Sequence, residues 1–372
     1  MEAVTLAAPP RVSVIVPVYR AERYVAECIA SIAAQELAPH EVILVCTRDD
    51  PASAAVAMAE AARRGLPTTV VELASNDGPG AARNAGVAVA TGDHIWFCDA
   101  DDTADPRFLS TLARRLREDG SGYAMARTLL VRPDGTEVRI DEPLAAEGVR
   151  PGPDVAEAQM RNQLRGYVCN RLFPAHLIRR HPFAGGTAYE DFDVSLAIAL
   201  DTEAVSLCAE PLYHYRIHPA SISQRFSPRT LDLFEQEGRV SRILDAHPGL
   251  VRRRVRLRYR YEGVVMPVAN MASPWEGSAG EEGARARRAL AAAAARVRIA
   301  DLLPLMLAGL PRLAVSAAVL RASPRGYAAW FRRRARTKVT PPGTPSPSRP
   351  ASSPETASTR PAGRATDRRP RG

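Results

Sequence analysis

The chain has 372 residues, 46% of them hydrophobic, and a formal net charge of +9. That length and composition suit one large or two medium globular domains. The basic balance suits nucleic acid, anionic lipid or nucleotide phosphates, but the chain has no zinc-finger spacing and no stacking-aromatic motif, so no nucleic-acid partner is expected. The cysteines (Cys28, Cys46, Cys98, Cys169 and Cys208) are scattered, odd in number and form no Cys-x-x-Cys pair, and they read as buried thiols in a reducing compartment. Lys338 is the only lysine, which reads first as a coding preference. The start, MEAVTLAAPPR, lacks the charged start and long apolar core of a signal peptide.

Val12 to Val16 is a short β-branched run closed by Pro17 and predicts a buried strand. Tyr24 to Gln35 follows with Val25, Cys28, Ile29 and Ile32 at helical spacing. Strands are expected at Val42 to Val45, Thr68 to Leu73 and Ile95 to Cys98. Helices are expected at Ala52 to Arg64, Gly80 to Ala90 and Pro106 to Glu118. This alternation predicts a parallel sheet with helices on both faces and right-handed crossovers. A hairpin from Leu129 to Ile140 should turn at Pro133-Asp134-Gly135. From about Pro153 to Arg180 the pattern is helical; Glu190 to Leu200 predicts a further helix and Leu212 to Ile217 a late strand.

Arg229 to Met271 and Glu281 to Arg298 are helical and basic. Asp301 to Leu320 is the most apolar stretch, interrupted by Pro304 and Pro311. Trp330, Phe331 and an arginine cluster follow. That order has two readings: a helical cap packed on the preceding domain, or a peripheral membrane contact through 301–336. Pro341 to Gly372, rich in Pro, Ser, Thr and Arg, is expected to be disordered.

The most informative stretch is His94 to Asp102, where an apolar run ends in Asp99, Asp101 and Asp102. Carboxylates at the end of a buried strand lie where open α/β sheets place ligands, and hard divalent cations take oxygen donors. The plainer reading is an acidic turn before the helix that begins near Pro106. That accounts for Asp105 but not for three crowded acids.

Five segments in order resemble the family 2 glycosyltransferases of the GT-A fold. They are Val12 to Gln35, Gly80-Ala81-Ala82-Arg83-Asn84-Ala85-Gly86 (an "ARNxG" helix), the DxD-like Asp99-Ala100-Asp101, Tyr189-Glu190-Asp191 (an "ED" motif), and Tyr213 to Ser223 (a "YRxHxxS" run). Val168 to Phe173 fits as well, and the resemblance covers roughly Arg11 to Ser223. It implies a Rossmann-like, mostly parallel sheet flanked by helices, with a helical C-terminal extension and a disordered tail. The expected divisions are a flexible N-terminus at 1–10, a glycosyltransferase domain at 11–228 (nucleotide half 11–105, acceptor half 106–228), a basic helical region at 229–336 and the tail at 337–372.

The resemblance further implies an inverting, metal-dependent enzyme with a nucleotide-diphosphate sugar as donor and a glycan or lipid-linked acceptor. It would act in the cytoplasm, at the inner face of the cell membrane. Asp191 is implied as the base and Glu190 as its neighbour. A Mn or Mg ion is implied at Asp101, with Asp99 and His218 as further ligands; His214 competes with His218 for that place. Donor contacts are implied at Pro17, Tyr19, Glu22, Thr47, Arg83, Asp99, Arg216 and Ser221. The chain departs from the family after the second strand: Cys46-Thr47-Arg48 stands where "DDG" is usual, and one of those acids normally reads the nucleobase. A thiol accepts hydrogen bonds poorly; Thr47 is a candidate to accept one in its place, and Asp49 or Asp50 could reach in after a loop shift. This departure is the basis of the alternative, a donor-binding or scaffold protein with a degraded site in a surface-polymer assembly.

Overall fold

The computed structural model of the protein describes residues 10–217 and 226–336. The expectations for the first ten residues (save Pro10), for His218 and Ser221, and for the tail at 337–372 lie outside the described residues.

Strands β1 (Val12–Pro17), β2 (Glu41–Thr47), β3 (Thr68–Leu73) and β4 (His94–Phe97) alternate with helices α1 (Val25–Ala33), α2 (Pro51–Arg63) and α3 (Pro79–Val89). The four strands are mutually parallel in the order β3-β2-β1-β4. The side chains of β1, β2 and β4 alternate between two cores, as strands buried on both faces require, whereas β3 is a largely exposed edge strand. Ile15, Ile43, Val45, Ile95 and Phe97 enter one, and Val14, Val16, Val42, Leu44 and Trp96 the other. Trp96 is fully buried, and its indole N–H donates to the Cys169 carbonyl at 2.8 Å.

Next come β5 (Thr103–Ala104), α4 (Phe108–Asp119), β6 (Tyr123–Met125), β7 (Thr128–Val131), β8 (Glu137–Ile140), β9 (Gly148–Pro151) and α5 (Gly152–Met160). Helix α4 buries Phe108, Leu109 and Leu112 and ends at Gly120, whose φ of 62° is the left-handed conformation that closes a helix. The expected hairpin is β7–β8, paired antiparallel. The chain continues through β10 (Arg171–Pro174), α6 (Ala175–Arg180), α7 (Glu190–Leu200), β11 (Ala204–Leu207) and β12 (Tyr213–Arg216).

The helical reading of 153–180 is corrected at β10, which pairs antiparallel between β4 and β6 near the middle of an eight-stranded sheet. Four residues are too few to show a period, and the strand opens on Arg171, a charge that is nonetheless fully buried. The sheet order is β3-β2-β1-β4-β10-β6-β11-β9, and β5-β12-β7-β8 forms a second, smaller sheet.

The C-terminal helices are α8 (Asp232–Ala246), α9 (Arg253–Arg258), a π-helical turn at Tyr259–Val265, α10 (Met266–Ala272), α11 (Gly280–Arg296), α12 (Ile299–Leu307), α13 (Pro311–Ala322) and α14 (Pro324–Arg336). They share one continuous core with the sheet: Leu233, Val264 and Ala314 belong to the same apolar cluster as Ile15 and Phe97. The described residues up to Arg332 form one compact unit, and a second begins at Arg333. Among the described residues no helix is long and apolar enough to cross a membrane.

Candidate active site

The carboxyl ends of β1, β2 and β4 lie side by side, with Pro17 opposite Val45 and Ile15 opposite Phe97. They bring together Pro17, Thr47 and the acids after β4. Tyr19 and Glu22 follow Pro17 on the loop into α1, Tyr19 half-buried with the Arg20 guanidinium 5.1 Å from its ring, Glu22 exposed.

The acids after β4 are not equivalent. Asp102 is buried; it accepts from the Tyr213 hydroxyl at 2.8 Å and from the Arg216 main-chain N–H at 2.8 Å. Burial, then the charges of Asp101 and Asp99, push its pKa well above the usual carboxylate range. Asp102 thus fastens the acidic turn to β12, whereas Asp99 and Asp101 keep partial exposure. Ligand atoms of Asp99, Asp102 and Cys169 lie within 4.8 Å of one another. The Cys169 thiol is a poor partner for a hard cation, because burial and the acids around it hold it protonated. The oxygens of Asp99 and Asp101 suit such a cation by donor type.

Helix α3 carries Arg83 across to α7. Gly86 lets α3 lie on β1, since a Cβ there would meet Ile15 Cγ2 at 2.5 Å. Gly80 admits the loop before α7, where a Cβ would meet the Ala184 carbonyl at 2.7 Å. Asn84 exchanges two 2.9 Å hydrogen bonds with the Phe183 main chain. The Arg83 guanidinium, 3% exposed, then donates to Asp99 at 2.8 Å, Glu190 at 2.9 Å and Asp191 at 2.5 Å. Burial opposes its charge, and the three carboxylates outweigh burial and hold it firmly protonated. Asp191 retains 23% side-chain exposure. Its pKa is pushed well up by its close surroundings and by the charges of Glu190 and Asp99, against the pull of Arg83. The resemblance implied a donor contact for Arg83; its partners in the structure are these three acids.

Asp191 sits in the first turn of α7, two residues after the N-cap Tyr189, a non-glycine residue at φ 66°. Such a backbone is held only when its surroundings over-determine it. They do: the Tyr189 carbonyl accepts from Gln236 at 2.8 Å, and the Ala188 N–H donates to Asp232 at 2.9 Å. In addition, Arg239 pairs with Asp193, and Phe192 stacks on Tyr259 at 5.1 Å. The C-terminal helices therefore brace the turn that presents Asp191.

On the β12 side, Arg216 is nearly buried. It donates to Glu27 at 2.5 Å and lies 4.8 Å from the Tyr24 ring centroid, while its Nε has no partner among the described residues. His214 is partly buried, which lowers its pKa and favours the neutral ring. Thr47 is buried, and its hydroxyl has no partner among the described residues. Asp50 does not replace the acids missing after β2. It accepts from the Arg20 N–H at 2.5 Å and caps α2 through the Ser53 N–H. Arg48 pairs with Glu72 at 2.7 Å.

The residues that sequence reasoning missed are Cys169, Tyr213 and the brace formed by Asp232, Gln236 and Tyr259. Tyr213 and Cys169 lie inside motif stretches but had no role there. The brace lies where no motif is readable, and only the packing of α8 and of the π-helical turn against α7 reveals it.

The fold and site define the class: an α/β scaffold with a cluster of acids at the carboxyl edge of its sheet, bridged by a buried arginine. The sequence profile of "Glycosyl transferase family 2" matches residues 13–183 of the chain. Among curated relatives, the EpsH protein of Bacillus subtilis (strain 168) is 30% identical over 231 residues, 61% of this chain and 65% of EpsH. The uncharacterized glycosyltransferase EpsJ of the same organism is 29% identical over 230 residues, 58% of this chain and 63% of EpsJ. The match thus spans less than two thirds of either relative. A solved structure of Staphylococcus aureus TarS residues 1–349 with UDP-GlcNAc superposes with a TM-score of 0.64 at 18% identity, over 88% of this chain and 92% of that one. That likeness establishes the GT-A fold.

Proposed function

We propose that the protein is an inverting, divalent-cation-dependent glycosyltransferase. It would move a sugar from a nucleotide-diphosphate donor to a hydroxyl of a glycan or glycolipid, in synthesis of a cell-surface polysaccharide or related glycoconjugate. The observation that carries this reading is the Arg83 bridge, which holds the acid cluster after β4 and the acids of α7 in one site. The family match and the TarS complex with UDP-GlcNAc support a nucleotide-sugar donor.

In a single displacement, Asp191 takes the proton of the acceptor hydroxyl as its oxygen attacks the anomeric carbon and the bond to the diphosphate breaks. A raised pKa makes Asp191 a stronger base, and Arg83 keeps it oriented. Glu190 is buried beside it and fixes the guanidinium. Arg216 brings positive charge to the diphosphate side, and Pro17, Tyr19, Glu22 and Thr47 frame the nucleoside. Asp101 and Asp99 would hold a Mn or Mg ion, whose chemistry is to offset charge on the leaving diphosphate. His218 and Ser221 lie outside the described residues. On this reading the enzyme works in the cytoplasm, at the inner face of the cell membrane, where nucleotide sugars meet lipid-linked acceptors.

The test is a panel of nucleotide sugars incubated with the full chain, with Mn or with chelator, reading release of nucleoside diphosphate. Cation-dependent release that is lost in Asp191→Asn is expected. Donor binding with no release from any sugar would overturn the reading in favour of a donor-binding scaffold, which the unusual Cys46 and Thr47 would then explain.

A further inference from the structure

Helices α12 and α13 form a hairpin with two unlike sides. Leu305, Ala314, Ala317 and Leu320 point into the core. Ile299, Leu303, Met306 and Leu307, spaced along one side of α12, and Val315 and Val319 on α13 are instead 38–80% exposed. A monomer rarely leaves so many large apolar side chains together in water without an interaction to cover them. The surrounding charge narrows the choice of partner. Residues 298–332 contain five arginines and a single acid, Asp301. Asp301 is turned to the protein, accepting from the Tyr261 hydroxyl at 3.0 Å. Arg298, Arg312 and Arg321 are exposed at the start of α12, the start of α13 and the end of α13. A second copy of this face would bring like charge against like charge, whereas phosphate headgroups complement it.

We propose that the outer face of α12–α13 docks on an anionic lipid bilayer, with Leu303, Met306 and Leu307 in the headgroup boundary and the arginines on lipid phosphates. Neither helix is long enough to span a membrane, and Pro304 interrupts α12, so the hairpin lies on the surface. The test is co-sedimentation of the full chain with phosphatidylcholine vesicles, with and without phosphatidylglycerol. Binding should require the anionic lipid and weaken with added salt. Leu303→Asp/Leu307→Asp and, separately, Arg312→Glu/Arg321→Glu should each cut partitioning by at least about tenfold. All four side chains are exposed, so both variants should keep the wild-type melting temperature. Binding that survives in both variants, or no binding to either vesicle, overturns the proposal. So does a concentration-dependent dimer lost in Leu303→Asp/Leu307→Asp, which would make the face a contact between copies. The assay involves no turnover, so its outcome is separate from that of the sugar-release experiment.

Discussion

The Arg83 guanidinium lies 2.8 Å from Asp99 and 2.5 Å from Asp191, so one buried cation joins the acids after β4 to the acids that begin α7. Without it, Asp99, Glu190 and Asp191 would face one another uncompensated. Removing one partner from a buried ion cluster costs about 3–5 kcal/mol. Arg83→Met should therefore lower stability by roughly that amount in urea unfolding. Arg83→Lys keeps the charge but cannot hold three carboxylates with a planar fork. It should fold and lose at least about tenfold in kcat. A lysine variant with unchanged turnover would remove Arg83 from the positioning of the base.

The pH profile follows from the environment of Asp191. Burial and the charges of Glu190 and Asp99 raise its pKa, so the acidic limb of kcat/KM should fall above the ordinary carboxylate range. Activity should be lost as pH drops through that limb and Asp191 gains its proton. Glu190→Gln deletes one neighbouring negative charge, so the limb should move to lower pH. A limb that stays in place shows that another group titrates there.

Asp193 provides a stability prediction. Burial raises its pKa from 3.8 to about 6, in spite of its pair with Arg239. Between those values the unfolded chain has released the proton that the folded chain still holds. This contribution is therefore present below about pH 4 and lost as pH rises to about 6, by roughly 3 kcal/mol in all. Asp193→Asn cannot titrate and should lack this slope. Urea unfolding at a series of pH values gives the difference between the two proteins; a flat difference across the window contradicts the assignment.

The brace on Tyr189 should matter for turnover more than for donor binding. Asp232→Ala leaves the Ala188 N–H without its carboxylate and should cost about 1 kcal/mol of stability. It should also lower kcat several-fold with donor KM unchanged, because it loosens the turn before Asp191. Asp232→Asn still offers an acceptor oxygen and should restore much of the loss. Equal rates in wild type and Asp232→Ala would show that the turn holds itself.

Much of the fold was readable because its first half is locally consistent. The β-branched runs of β1, β2 and β3 and the apolar spacing of α1 and α4 each predict their own element. Strand β10 escaped because its four residues have no period of their own and its place is set by antiparallel partners on β4 and β6. In the site, the acids of β4 and α7 were legible as acids. That Asp102 is spent on Tyr213 and the Arg216 N–H was not, since hydrogen-bond partners more than a hundred residues apart leave no local mark.

In the first half of the chain the sequence by itself determined which segments become strand or helix and which chemical groups stand at their ends, because those depend on neighbours a few residues away. The tertiary structure alone decided what those groups meet. Arg83 reaches Glu190 across 107 residues. The brace on α7 comes from helices with no readable motif, and one side of α12–α13 is left in water while the other is buried. Each depends on sheet register and helix packing, which no short stretch of chain encodes.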